Sequence, residues 1–372
     1  MVSIAMNPSR ALFVGRSTLD ALYCLDELPA EDSKVYSRDF RATPGGPALN
    51  AAITHSLLGG EAMLISAVGG GPWAALVRAE LAHHQIALHD LAAGTAYETP
   101  LTTVLINNAT SSRTIVNPPI STVQLTPLPT VWEQAVPTFW GALPPVLLCD
   151  GFHLAETLPL LAACKAAGSA ICLDGGSWKP GTEELAPLLS VAICSERFAV
   201  PEQTGLTVEA AEKLEDSGEE HPSGAKAQHL FSRSCGTTEV VPFYKARTNS
   251  SFPADCIDAS TDRLFNWFAE KCVPSIALTR GPRPILGYER GRRFEIEIAQ
   301  IDAADTLGAG DVLHGAFAYF FASGMEFEPA LRRAAEIATF SCQSMGIQAW
   351  ATGALGMALN SALPSANCIK KS

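Results

Sequence analysis

The sequence predicts an α/β fold: a mostly parallel central sheet flanked by helices, with a small β-sheet lid. Two observations predict the main sheet. Short apolar runs at residues 11–14, 62–68, 146–149, 170–173, 191–194 and 276–279 alternate with helix-like segments at 47–58, 72–84 and 156–167. These runs are apolar on both faces, as the strands of a parallel sheet must be when helices cover both sides. A third observation predicts the lid. Two segments, about 20–43 and 99–116, break the alternation, and the second places strand-like stretches 101–106 and 113–116 around the turn-rich 107–112. Both read as hairpins, and paired with each other they would form a sheet able to cover a cleft.

The first strand, 11–14, ends at Gly15. Helix 47–58 opens on Pro47, whose missing N–H is an orphan at that position anyway, and is followed by Gly59 and Gly60. In the late helix that follows residue 311, Val312, Leu313, Ala316, Phe317 and Phe320 form an apolar face and Gly324 supplies a stop. Gly315 inside it costs roughly 1 kcal/mol relative to Ala, which marks close backbone packing. A second amphipathic helix is expected over 328–345, with Pro329 in its first turn, Leu331, Ala334, Ala338 and Cys342 on one side, and Gly346 at its end. Residues 212–259 are rich in Ser, Glu, Lys, Thr and Pro without periodicity, and read as a polar insertion.

With 26 basic and 38 acidic residues the chain carries a formal charge of -12. That argues against a nucleic-acid or anionic-membrane surface, and an anionic ligand must be held by local dipoles and a few cations. No run approaches the ~18 apolar residues of a membrane helix, and the first residues lack a leader pattern, so a cytoplasmic protein is expected. The 10 cysteines form no C-x-x-C pair and read as reduced thiols, including Cys235 and Cys256 within the insertion. His83, His84 and His89 cluster without metal-ligand spacing.

The motif with most chemistry is Asp305-Thr306-Leu307-Gly308-Ala309-Gly310-Asp311, at the start of a helix. Gly308, Ala309 and Gly310 leave the backbone bare, so several amides can converge on an anion at the positive end of the helix dipole. Asp311 would stand beside that anion, placed to accept a proton from a hydroxyl attacking phosphorus. A second glycine element, Gly45-Gly46, opens helix 47–58, with Asn50 one turn in. Asn50 can donate to and accept from a hydroxyl, while Asp20 adds an acceptor-only carboxylate suited to paired sugar hydroxyls.

In this order, the strand, Asp20, hairpin, Gly45-Gly46, Asn50, β-α series and Asp305 to Asp311 motif resemble the ribokinase-like (PfkB-type) carbohydrate kinase family. The resemblance covers nearly the whole chain apart from 212–259. It implies one ribokinase-like domain over 1–372 that uses ATP and Mg²⁺ to phosphorylate a sugar or sugar-like alcohol. It also implies Asp311 as catalytic base and the amides of Gly308, Ala309 and Gly310 as the anion hole. Asp20, Gly45, Gly46 and Asn50 would hold the sugar, and Arg113 on the second lid hairpin would reach it. Thr279 and Gly281 match the family's nucleotide-binding turn, and Asp305 matches a carboxylate that helps bind a monovalent cation such as K⁺. A homodimer through the lid is one arrangement left open.

Three positions depart from the family pattern. Pro47 stands where several relatives carry lysine, so the sugar is left open. The Asn-x-x-Glu element appears as Ser195-Glu196-Arg197-Phe198, which displaces Glu196, the candidate for Mg²⁺. His314 replaces a common asparagine, for no reason visible in the sequence. Two other readings stay open: a nucleoside kinase of the same fold, and a catalytically degenerate sugar-binding regulatory protein. A dinucleotide oxidoreductase is disfavoured because no G-x-G-x-x-G follows the first strand.

Overall fold

Strand β1 (Arg10–Val14) runs through the interior of a nine-stranded sheet, and the computed structural model describes residues 9–110, 112–128, 143–201 and 259–352. On one side β1 pairs in parallel with β4 (Glu61–Ser66), beyond which lies β5 (Ala87–Asp90). On the other side come β8 (Val146–Cys149), β9 (Ala170–Gly175), β10 (Val191–Ser195) and β11 (Ser275–Arg280), all parallel. The antiparallel strands β12 (Arg283–Glu289) and β13 (Arg292–Ile296) close that edge.

Alternate residues of β1 enter different cores, as the period of a strand requires. Ala11 and Phe13 pack toward α1 (Pro47–Leu57), α2 (Gly71–His83), α6 (Ala309–Ala322) and α7 (Phe327–Ser341). Leu12 and Val14 pack toward α3 (Leu154–Ala167) and α5 (Ala259–Glu270). Short helices α4 (Thr182–Leu185) and α8 (Ala349–Thr352) complete the set among the described residues. No described helix is long and apolar enough to cross a membrane.

The two hairpins do form a second sheet, in the order β3 (Asp39–Gly45), β2 (Thr18–Leu25), β6 (Leu101–Asn107), β7 (Ser112–Val116). Each hairpin is antiparallel, but they join through a parallel pairing of β2 with β6 that sets Leu19 opposite Leu101. Only Arg16 and two neighbours separate β1 from β2 in sequence, so the lid is tied to the end of β1 in the middle of the sheet. The polar insertion predicted at 212–259 lies outside the described residues, except that Ala259 already starts α5.

Helix α7 ends at Ser341, short of the 345 expected from sequence. Its freed terminal carbonyls explain the early stop, because Cys342 O accepts from the amides of Ala304 and Asp305 and so fastens the loop before α6. Gly315 meets the packing expectation. A Cβ there would lie 2.3 Å from the Ala51 carbonyl oxygen, so α1 and α6 cross through bare backbone.

Candidate active site

The C-terminal ends of β1, β8 and β9, the N-termini of α1 and α6, and the inner face of the lid surround a cleft of about 670 Å³. Parallel sheets place ligands at this end. Asp20, Gly45, Gly46, Asn50, Arg113, Asp305 and the run Gly308 to Asp311 all line it.

Glycine at 45 and 46 is a spatial demand. A Cβ at Gly45 would fall 2.1 Å from Asp20 Oδ2, and one at Gly46, where φ is +102°, would fall 2.4 Å from the Arg16 carbonyl oxygen. The bare turn lets Asp20 lie against the start of α1, where Thr18 Oγ1 donates to its Oδ1 at 2.7 Å. Burial raises the Asp20 carboxyl, and the Thr18 hydrogen bond and nearby Arg16 hold it back.

Helix α1 has no side-chain cap of its own. Asp150 serves instead, from the loop after β8. Its Oδ2 accepts from Arg16 N at 2.9 Å and Ala48 N at 3.2 Å, and its Oδ1 accepts from Phe152 N at 2.9 Å. One buried carboxylate thereby joins the β1–β2 turn, the start of α1 and the end of β8. Burial lifts it to about 6, with the amides of Phe152 and Arg16 and the Lys179 charge opposing and Asp174 adding to the rise. Sequence reasoning missed Asp150, although its position directly after an apolar strand, before Gly151, was a usable signal.

At the other helix start, Gly308 is left-handed (φ +73°), and a Cβ there would come within 2.3 Å of Ile347 Cγ2. Val312 N reaches back to Gly308 O at 2.9 Å and Ala309 N makes a longer contact to Thr306 O at 3.4 Å, with the remaining amides of the first turn at the open end of α6. Asp311 is fixed by Asn50, whose Nδ2 donates to Oδ2 at 2.6 Å across 261 positions of sequence. Burial pushes Asp311 up to about 7; Asp174 and Asp150 add to the rise, while the Asn50 hydrogen bond and His314 oppose it. Asp174, at the end of β9, is a second site residue that the sequence reading did not single out.

Asp305 orders the loop beneath the lid, its Oδ1 accepting from Leu307 N at 2.8 Å and its Oδ2 from Gly346 N at 3.0 Å. Arg113 reaches from β7 to that loop, with Nη1 3.4 Å from Thr306 Oγ1. The basic side chains of Arg16, Arg41, Lys179 and Arg197 also border the cleft.

Three sequence-derived candidates are not brought into this cluster. Thr279 and Gly281 sit at the end of β11 and in the following turn, outside the cleft lining. Thr279 pairs in register with Ser195 and donates to Cys194 O at 3.3 Å, while Gly281, at φ +62°, faces open space. Glu196 is the third: its carboxylate is engaged by Arg283 on the surface, outside the cleft lining. Phe198, two residues on, is buried and stacked on Phe268. Among the described residues no three His, Cys, Asp or Glu side chains gather as a metal cage.

A family model described as pfkB family carbohydrate kinase matches residues 9–222 and 256–352. The deoxyribokinase of Salmonella typhi is 30% identical over 79 residues, which are 21% of this chain and 26% of that protein, so the match spans about a quarter of that relative's length. The crystal structure of a candidate ribokinase from Agrobacterium tumefaciens superposes with a TM-score of 0.67 at 22% identity, covering 95% of this chain and 98% of the other. The Arabidopsis thaliana ribokinase complexed with ribose and ATP gives 0.61 at 17% identity, over 92% and 94%. At such identities the solved structures show a shared fold.

Proposed function

The chain belongs to the pfkB family of carbohydrate kinases, and from that premise we propose that it transfers the terminal phosphoryl group of ATP to a hydroxyl of a sugar or sugar-like alcohol. The observation that carries this reading is Asp311. A carboxylate lifted to about 7 by burial, hydrogen-bonded to Asn50 and set at the open amide end of α6, is built for proton transfer beside an anion.

In this reading the acceptor hydroxyl gives its proton to Asp311 while its oxygen bonds to phosphorus and the bond to the leaving ADP oxygen breaks. The amides of Gly308, Ala309 and Gly310 meet the charge on the transferring group; a preorganised donor of this kind is worth about 3 to 4 kcal/mol in favourable cases. Asp20, Gly45, Gly46 and Asn50 hold the sugar hydroxyls, and Arg113 closes over them from the lid. Thr279 and Gly281 are assigned to the outer part of the nucleotide. Ribose and ATP occupy the Arabidopsis ribokinase that shares this fold.

The donors present suit a Mg²⁺ ion that travels with the nucleotide phosphates, since such ions commonly use only one or two protein carboxylates and keep several waters. When bound, it would neutralise phosphate charge. Asp305 suits a monovalent cation, because each carboxylate oxygen accepts one amide and keeps a second lone pair. Exposed Val35, Tyr36, Phe40, Ile115 and Val116 on the lid segments support a homodimer through that sheet.

A sugar is favoured over a nucleoside by Phe152. Among the described residues it is the one aromatic side chain lining the cleft, and Arg16 and Lys179 lie over its ring at 5.2 and 4.6 Å from the centroid, where a base would have to stack. The test is substrate-dependent ADP release across a panel of neutral sugars, sugars bearing phosphate or carboxylate, and nucleosides. Turnover confined to nucleosides would overturn the sugar assignment, and binding of sugars without any turnover would point to a degenerate binding protein.

A further inference from the structure

His314 lies one turn beyond Asp311 on α6 and is 4% exposed. Every polar atom its ring meets is an oxygen acceptor. Nδ1 is 2.7 Å from the Gly310 carbonyl oxygen and 3.3 Å from Asp174 Oδ2, and Nε2 is 3.1 Å from the Ile193 carbonyl oxygen. A neutral imidazole has one N–H and one bare nitrogen, so either tautomer would press a nitrogen lone pair against an oxygen lone pair in a buried place. With both nitrogens protonated, the ring donates on both sides and no contact is repulsive.

The surroundings also call for a cation. Asp150 and Asp174 are 3% and 6% exposed, and their charges act on Asp311. On the strands and helix around α6, burial favours the uncharged form of two cysteines and a histidine. It pushes the Cys149 thiol of β8 and the Cys194 thiol of β10 up, and pushes His55 of α1 down to about 4. On α7 the charged side chains are engaged elsewhere, Glu328 with Arg292 and Arg332, and Arg333 with Glu336. Arg10 of β1 pairs with Glu61 at the opposite end of that strand. Asp174 is the carboxylate against the His314 ring, and the charges of Asp174, His314 and Asp150 all act on Asp311.

We propose that His314 is held as an imidazolium beneath the anion hole and is a positioning residue that keeps Asp311 in its proton-accepting form. The role in catalysis rests on the kinase reading; the charge state does not. Residues three apart on a helix are neighbours, and an opposite charge at about 4–6 Å lowers a carboxyl by about 1 to 3 units. Asparagine can fill the space and donate one hydrogen bond, but it carries no charge.

The experiment is ring and carboxyl NMR on the ligand-free protein, with His314→Asn identifying the ring signals. At pH 7.5 the His314 ring is expected to be protonated on both nitrogens, and the Asp311 Cγ titration midpoint is expected to rise by about 1 unit or more in His314→Asn. A singly protonated ring, or an Asp311 midpoint that stays in place, overturns the proposal. If His314→Asn does not fold, His314→Gln reports the same midpoint, and the wild-type ring measurement needs no variant. With substrate, the acid limb of kcat/KM should move upward with that midpoint while activity recovers at higher pH, which a merely structural role would not produce. Intact NMR results with no phosphorylation of any acceptor would refute the kinase reading and leave the imidazolium standing.

Discussion

Gly315 and Ala51 set the distance between the two helices that build the site. With a Cβ on Gly315 only 2.3 Å from the Ala51 carbonyl oxygen and 2.7 Å from Thr54 Cβ, α6 cannot accept even a methyl group at that crossing. One turn earlier on α6, the same approach brings Asp311 to within 2.6 Å of Asn50. Gly315→Ala should push the helices apart, lowering stability by about 1–3 kcal/mol as overpacked cores do, and lowering turnover by loosening the Asn50 contact. Thermal unfolding and kcat, measured together, check it; an unchanged Tm would mean the crossing has slack.

Asp311→Asn keeps the shape of the side chain and its partner but removes proton acceptance. Turnover should fall by about 10² to 10⁴-fold with KM for both substrates within about tenfold, since the amides of α6 remain to bind phosphate. More than a third of wild-type turnover, with chemistry rate-limiting, would exclude Asp311 as the base.

The same residue fixes two pH dependences. As a base it works ionised, so kcat/KM should fall as pH drops through about 7. Its stability contribution has the opposite sense. A carboxyl raised from 3.8 to about 7 in the folded protein favours folding fully below pH 3.8, and that contribution is lost as pH rises through about 7. Asp311→Asn, with no charge to bury, should therefore melt higher than wild type at pH 8, and the gap should close toward pH 4. Parallel melting curves that never converge would mean the shift lies elsewhere.

Much of this was legible in sequence because it rests on short-range rules. The apolar runs gave six of the strands, and the bare amides at Gly308 to Gly310 and the pairing of Gly45-Gly46 with Asn50 located both helix starts of the cleft. What escaped depends on contacts between distant segments. Asp150 and Asp174 look like ordinary carboxylates after strands, and their importance appears only once β8 and β9 lie beside β1 and α6. The edge strands β5 and β13, and β12 beside the latter, carry charged residues among short apolar stretches, so hydrophobic periodicity gave them no clear outline. The pairing of Glu196 with Arg283, 87 residues away, was likewise invisible in sequence.

If the lid is a dimer contact, the exposed side chains on it should govern assembly without governing folding. Phe40 and Ile115 are 52% and 44% exposed, so Phe40→Glu with Ile115→Glu should leave Tm nearly unchanged while converting a dimer to a monomer in sedimentation. A wild type that sediments as a monomer at micromolar concentration would remove the lid contact from consideration.

Asp150 gives a graded test of how the site is held together. It accepts from three amides, those of Arg16, Ala48 and Phe152, at 2.9, 3.2 and 2.9 Å. Asp150→Ala leaves these donors without an acceptor in the interior, each at a cost of about 1–3 kcal/mol. Asp150→Asn retains one acceptor oxygen but turns an NH₂ toward at least one of them, so it should fall between wild type and Ala in Tm. Because the amide of Ala48 begins α1, both variants should also displace Gly45, Gly46 and Asn50, raising KM for the sugar more than KM for ATP. That asymmetry separates a local hinge from general loss of stability, which would weaken both substrates alike. Equal effects on the two KM values, or an Asn variant as stable as wild type, would show that α1 is held by its packing against α6 and not by this carboxylate.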